Sequence, residues 1–238
     1  MNKSKVLVYI TLLLYLLSVA FQFNGQNVVA NCLKSAILPT VTLLYFLTKK
    51  RKALFFTLFL VLFSISELLV LIENYLPHVI NYYIGNSLYI LAYTSLIIEI
   101  IKSISFLHII KHHKIHLIIL TCLNIYIVYV LQVIVNPYVE KTNEYYVELI
   151  YNIIMLSLLS VALLNYFHKD NLKSLYLFLA ALCIVFGEVM WVAYTYISAR
   201  DLLNVISTTL YVVSFYFFFK QSKLKHEIKQ DEVSMLIG

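Results

Sequence analysis

Apolar residues run along the chain in eight stretches, at about 5 to 23, 28 to 48, 53 to 76, 80 to 105, 115 to 136, 145 to 167, 174 to 198 and 201 to 220. Each is about 20 residues long, and at roughly 1.5 Å of rise per residue an α-helix of that length matches the hydrocarbon core of a bilayer. The pattern therefore predicts an all-α membrane protein of eight transmembrane helices. Residues 1–220 form a single transmembrane domain, 221–238 form a cytoplasmic tail, and no soluble domain is expected beside them. Gly25, Pro77 and Pro137 fall between predicted spans, where turn residues belong, and only Pro39, Gly85 and Gly187 fall within or at the edge of one. The first span follows Lys3 and Lys5 and ends in Ser18-Val19-Ala20, which resembles a cleavable signal. Seven further spans make an uncleaved signal anchor the expected reading.

Composition agrees with lipid as the solvent, since 62% of the 238 residues are apolar and 13% charged, too few to clothe a water-facing surface. The net charge of +6 is a topology signal and not a nucleic-acid footprint. Fifteen of the 18 Lys and Arg lie on one side of the predicted membrane, in groups near residues 3–5, 49–52, 102–114, 169–173 and 220–229. The other side holds Lys141 and Arg200, and Lys34 alone lies within a span. Both termini are thus expected in the cytoplasm, with the protein integral to a cell membrane, the inner membrane of a bacterium. Cys32, Cys122 and Cys183 lie in apolar runs without metal-site spacing and read as small buried residues.

A weak repeat at an offset of 121 residues pairs Tyr45-Phe46 with Tyr166-Phe167, Lys52 with Lys173, Glu67 with Glu188 and Tyr75 with Tyr196. Leu88-Tyr89 matches Leu210-Tyr211 one residue later. A four-plus-four parallel duplication would preserve helix orientation, as this topology requires.

Ionisable side chains in hydrocarbon are costly unless partnered, which makes Lys34, Glu67 and Glu188 candidates for function. Lys34 lies about six residues below the outer end of helix two, and the glutamates about fourteen residues above the inner ends of helices three and seven. All three reach the outer third of the membrane and can share one cavity. Polar stripes at helical spacing face them: Tyr82, Asn86, Tyr89 and Tyr93 on helix four, and Asn204, Thr208 and Tyr211 on helix eight. Gln132 and Asn152 lie at similar depth. A polar-lined pocket opening outward follows, because such groups must face one another or water. The plain alternative is packing alone, with Lys34 paired to one glutamate and the other protonated.

Other charged groups read as surface. Glu99 and Lys102 fit an interfacial i, i+3 pair. His112 and His116 stand at ligand spacing, with His108 and His113 nearby, but no carboxylate or cysteine joins them, so a basic loop at anionic headgroups is expected instead of a metal site. No cofactor is expected either.

Lys34-Ser35-Ala36-Ile37-Leu38-Pro39, then Ser64-Ile65-Ser66-Glu67, Gly85 with Tyr93 eight residues on, and Phe186-Gly187-Glu188 together resemble the YhhN/TMEM86 family of lysoplasmalogenase-like membrane proteins. The resemblance covers most of the chain. The family pattern carries Asp at both acidic positions and His where Tyr93 stands, so this chain has a longer acidic arm at two points and lacks the imidazole that titrates near neutrality. The resemblance implies hydrolysis of the vinyl ether of a lysoplasmalogen, a lysophospholipid-like membrane substrate, to a fatty aldehyde and a glycerophospho-alcohol. Glu67 and Glu188 would be the catalytic carboxylates, one as general acid and one stabilising the oxocarbenium ion or guiding water. Lys34 would hold the second carboxylate ionised or meet the lipid phosphate, and Asn86, Tyr89, Tyr93, Asn204, Thr208 and Tyr211 would line the substrate site.

Two other classes fit intramembrane charge. A small-molecule or ion-coupled transporter is one, although four Gly and three Pro leave few of the interrupted helices on which such sites are built. A catalytically silent sensor or scaffold is the other, favoured by the departures at Glu67, Tyr93 and Glu188. A retinal-type receptor is excluded, because the last span has no lysine midway.

Overall fold

Residues 3–49, 52–104, 114–139 and 143–224 are described by the structure, a computed structural model. The described residues form eight long helices: α1 Lys3–Phe23, α2 Asn27–Thr48, α3 Leu54–Leu69, α4 His78–Ile101, α5 Lys114–Val139, α6 Glu144–Lys169, α7 Leu172–Val192 and α8 Asp201–Lys223. All eight are long and apolar enough to cross a membrane, and the described residues contain no strand. Helices are what this composition permits, since backbone N–H and C=O groups in hydrocarbon must be satisfied within the segment itself.

The connections are built by local chemistry. Gly25 adopts φ 73° between α1 and α2, a conformation that costs glycine nothing. Asp170 ends α6 in the left-handed region at φ 44°. The next residue, Asn171, starts α7 with a reciprocal capping box to Ser174, so two residues turn the chain around. Pro77 stands just before α4, while Pro137 lies inside α5, which runs on to Val139 and was expected to stop earlier. Two helices end irregularly. A 3₁₀ turn, Val70–Tyr75, continues α3, and a π turn, Ala193–Ile197, continues α7.

Six helices form a closed ring in the order α2, α3, α4, α6, α7, α8 and back to α2. The remaining two lie outside it, α1 against α2 and α8, and α5 chiefly against α6. Inside the ring an aromatic cluster of Phe56, Phe59, Phe63, Phe215 and Phe218 joins α3 to α8, with Phe59 and Phe218 edge to face at 5.0 Å. Small residues let backbones approach where helices cross. Ser66 Oγ donates to the Gly85 carbonyl at 3.0 Å, Ser207 Oγ to the Gly187 carbonyl at 2.9 Å, and Ser214 Oγ to the Ala180 carbonyl at 2.8 Å. Such contacts matter most in lipid, where no hydrophobic effect drives helix against helix. The outward faces are apolar, as at Leu12, Leu16, Leu43, Leu47, Ile118 and Ile125. Cys122 is exposed on this outer face and Cys32 and Cys183 are half-buried, in place of the full burial expected.

Candidate functional site

A cavity of about 530 Å³ occupies the interior of the ring. Its lining includes the C-terminal ends of α3, α5 and α7 and the N-terminal ends of α4 and α6, which place it at one end of the bundle. Lys34, Glu67 and Glu188 all face it, from three different helices.

Glu188, 7% exposed, is reached through the glycine before it, Gly187. A Cβ at Gly187 would lie 3.5 Å from the Tyr211 ring and 3.6 Å from the Ser207 carbonyl, so α8 packs close at this residue and leaves no room for more than a methyl group. Tyr93 Oη donates to Glu188 Oε1 at 3.2 Å, Tyr151 Oη makes a short hydrogen bond to the same oxygen, and the Tyr211 hydroxyl interacts with the carboxyl group as well. Glu67 is more open. It is half-buried and accepts one bond, from Tyr89 Oη at 2.9 Å. The Tyr151 ring packs on those of Tyr89 and Tyr93, and these two pack in turn on Phe63.

Lys34 does not pair with either glutamate. Its Nζ donates to Asn204 Oδ1 at 3.3 Å and lies 5.9 Å from the centre of the Tyr211 ring. It also borders a much smaller void of about 10 Å³, lined by Ser18, Gln22, Asn204 and Thr208.

Of the nine residues singled out from the sequence, Lys34, Glu67, Asn86, Tyr89, Glu188 and Tyr211 line the large cavity. Tyr93 does not. It is wholly buried and donates to the Glu188 carboxylate. Asn204 and Thr208 line the small void instead of the main cavity, because α8 turns that face towards α1 and α2. Asn152 reaches the cavity and donates to Gln132 at 3.4 Å.

Three features were not foreseen. Glu148, 9% exposed, accepts from Tyr82 Oη at 2.6 Å and lines the upper cavity, close to Glu144. Its position four residues before Asn152, on the same helix face, is the signal that could have found it. Tyr151 is the second: it follows from the same helix face. The third is Gln22, 3% exposed at the end of a largely exposed helix, for which a lone glutamine in an apolar run was the only clue.

Elsewhere, Lys102 Nζ stands 3.9 Å from the centre of the Phe55 ring and forms no ion pair with Glu99 among the described residues, because the amine turns towards α3. His116 packs edge-on against Phe167 at 5.1 Å, while His108, His112 and His113 lie outside the described residues, as does the tail beyond Leu224. Among the described residues no group of three His, Cys, Asp or Glu side chains is arranged to hold a metal. Comparison of the chain with protein-family models, curated proteins and solved structures finds no match.

Proposed function

We propose that this chain is an integral protein of a bacterial inner membrane, with both termini cytoplasmic, that hydrolyses the vinyl ether bond of a lysoplasmalogen in the manner of the YhhN/TMEM86 family. The observation that carries the reading is one cavity, roomy enough for part of a lipid, whose lining includes Glu67 and Glu188, each accepting from a tyrosine hydroxyl. The fifteen-to-two division of Lys and Arg supports the orientation, and the cavity then opens towards the outer face.

The ring supports a four-plus-four duplication. Helices two to four of each half follow one another round it, and the outlying helices α1 and α5 are the first of each half. Glu67 with Tyr89 corresponds to Glu188 with Tyr211. Ser66 and Gly85 correspond to Gly187 and Ser207, with serine and glycine exchanged while the hydroxyl still reaches a glycine carbonyl on the facing helix.

The difference between the two carboxylates divides the labour. Glu188, accepting from Tyr93 and Tyr151, is the better solvated as an anion and suits the site of developing positive charge. Glu67, with one donor and an open oxygen on the cavity, suits proton delivery. Glu67 would protonate the alkenyl carbon remote from the ether oxygen, leaving an oxocarbenium ion beside Glu188. Water adds to that ion, its proton returns to Glu67, and the hemiacetal collapses to aldehyde and glycerophospho-alcohol.

The test follows aldehyde release from a lysoplasmalogen by the purified full chain. Glu67→Gln and Glu188→Gln are each expected to lower the rate by about 100-fold or more, the usual scale of a lost acid or charge stabiliser. Unchanged release in both variants, or none from the wild type, refutes the hydrolase. Tyr93 in place of the family's histidine instead supports a silent sensor, and absence of turnover with retained lysolipid binding would favour it.

A further inference from the structure

An ammonium carries three N–H donors and no acceptor, and inside a membrane its usual partner is a carboxylate. Glu67, Glu144, Glu148 and Glu188 line the same cavity as Lys34, and the first and last of these act on its charge. Even so, its one hydrogen bond among the described residues goes to the neutral oxygen of Asn204. On the cavity side, one oxygen of each of Glu67 and Glu188 accepts from tyrosine hydroxyls.

On the far side, the anchor is itself anchored. Asn204 Nδ2 donates to Gln22 Oε1 at 2.9 Å, which leaves the Asn204 oxygen pointed at Lys34. Gln22 Nε2 donates in turn to Asn27 Oδ1 at 2.9 Å and Asp201 Oδ1 at 2.5 Å, at the first turns of α2 and α8. Both amides are buried. The void behind Lys34, about 10 Å³, has room for about one water, whereas its front borders the 530 Å³ cavity. The protein therefore keeps a cation at the cavity wall with donors to spare, and fastens it from behind.

We infer that Lys34 is the anion-binding pole of the cavity, receiving the phosphate group of the ligand, and that Gln22 and Asn204 are positioning residues that hold its ammonium away from Glu67 and Glu188. The inference rests on the lysophospholipid reading for the identity of the ligand, but the contact requires only a phosphate. A point-charge lysine with free N–H donors suits a phosphate oxygen, and such charge-assisted bonds are short and strong.

The experiment compares binding of two non-hydrolysable lipids to the purified full chain in detergent: a 1-O-alkyl glycerol 3-phosphate and the 1-O-alkyl glycerol of the same chain length. The wild type is expected to bind the phosphate lipid about tenfold tighter or more, the scale of one charge-assisted contact. Lys34→Met brings the ratio of affinities to about one, and Lys34→Arg retains a preference. Gln22→Met and Asn204→Leu lower the ratio to about threefold or less with affinity for the neutral lipid unchanged, a split that general loss of folding would not produce. Displacement of the lipid by millimolar inorganic phosphate supports the site with free phosphate as its ligand, and lack of displacement supports it with the lipid headgroup. Equal affinities in the wild type, or a preference that survives Lys34→Met, overturn the inference. Phosphate preference without aldehyde release would refute the hydrolase alone, and aldehyde release without phosphate preference would refute this site alone.

Discussion

Glu188 shows what a single carboxylate needs in order to sit among helices. Among the described residues no cation is in hydrogen-bond contact with it, and stabilisation comes from the hydroxyls of Tyr93 and Tyr151, both on helices other than its own. Removing one of them takes a donor from a buried carboxylate, and a hydrogen bond to a charged group is typically worth about 1.5–3 kcal/mol. Tyr151→Phe is therefore expected to lower thermal stability in detergent clearly. Tyr138→Phe is expected to leave it almost unchanged, because the Tyr138 hydroxyl bonds the Tyr196 carbonyl at an exposed site where water can replace it. Equal effects from the two would contradict burial as the cause. The glutamates themselves were legible in the sequence as rare charges in apolar runs. Which tyrosines serve them was not, because twenty tyrosines make stripes at helical spacing by chance.

Among the elements, the crossing of α7 and α8 sets the site. Gly187 meets the Tyr211 ring and the Leu210 Cβ at 3.5 and 3.6 Å from where a Cβ would be, which is ordinary contact distance. Gly187→Ala should fold with near wild-type stability. Gly187→Leu has nowhere to put its branches and should cost about 1–3 kcal/mol, the usual scale of overpacking, by pushing α8 and Tyr211 away from Glu188. Thermal melts of the two variants check this, and a Gly187→Leu protein as stable as the wild type would mean that the crossing is loose. The turns after α3 and α7 belong to the same scale. Apolar length predicts a helix running to residue 76 or 198, and the structure instead gives 3₁₀ and π geometry at those ends. Hydrophobicity sets how far a span reaches and says little about which hydrogen-bond register closes its last turn.

At the scale of the whole molecule, the proposed orientation makes the mouth of the cavity face outward and the lysine-rich ends face the cytoplasm. With Cys32, Cys122 and Cys183 replaced, a cysteine at Arg200 is expected to react with a membrane-impermeant thiol reagent added to intact cells. One at Asp170 should react only after permeabilisation. The reverse pattern would invert the topology and move the cavity to the cytoplasmic side, whatever the chemistry within it.

Eight spans, their approximate limits and three isolated intramembrane charges could be read from the chain alone, because a bilayer imposes length and hydrophobicity on each span independently of its neighbours. Three decisions needed the tertiary structure. The ring order of the helices put Lys34, Glu67 and Glu188 on one cavity while turning Asn204 and Thr208 to a separate void. Side-chain directions gave Tyr93 and Tyr151 to Glu188 and left Lys34 to Asn204. The packing of α1 against α8 brought Gln22 into the interior from a helix that is largely exposed. Each depends on which helix stands next to which, and in lipid that choice rests on small-residue contacts and hydrogen bonds between segments distant in sequence, not on the hydrophobic pattern of any one of them.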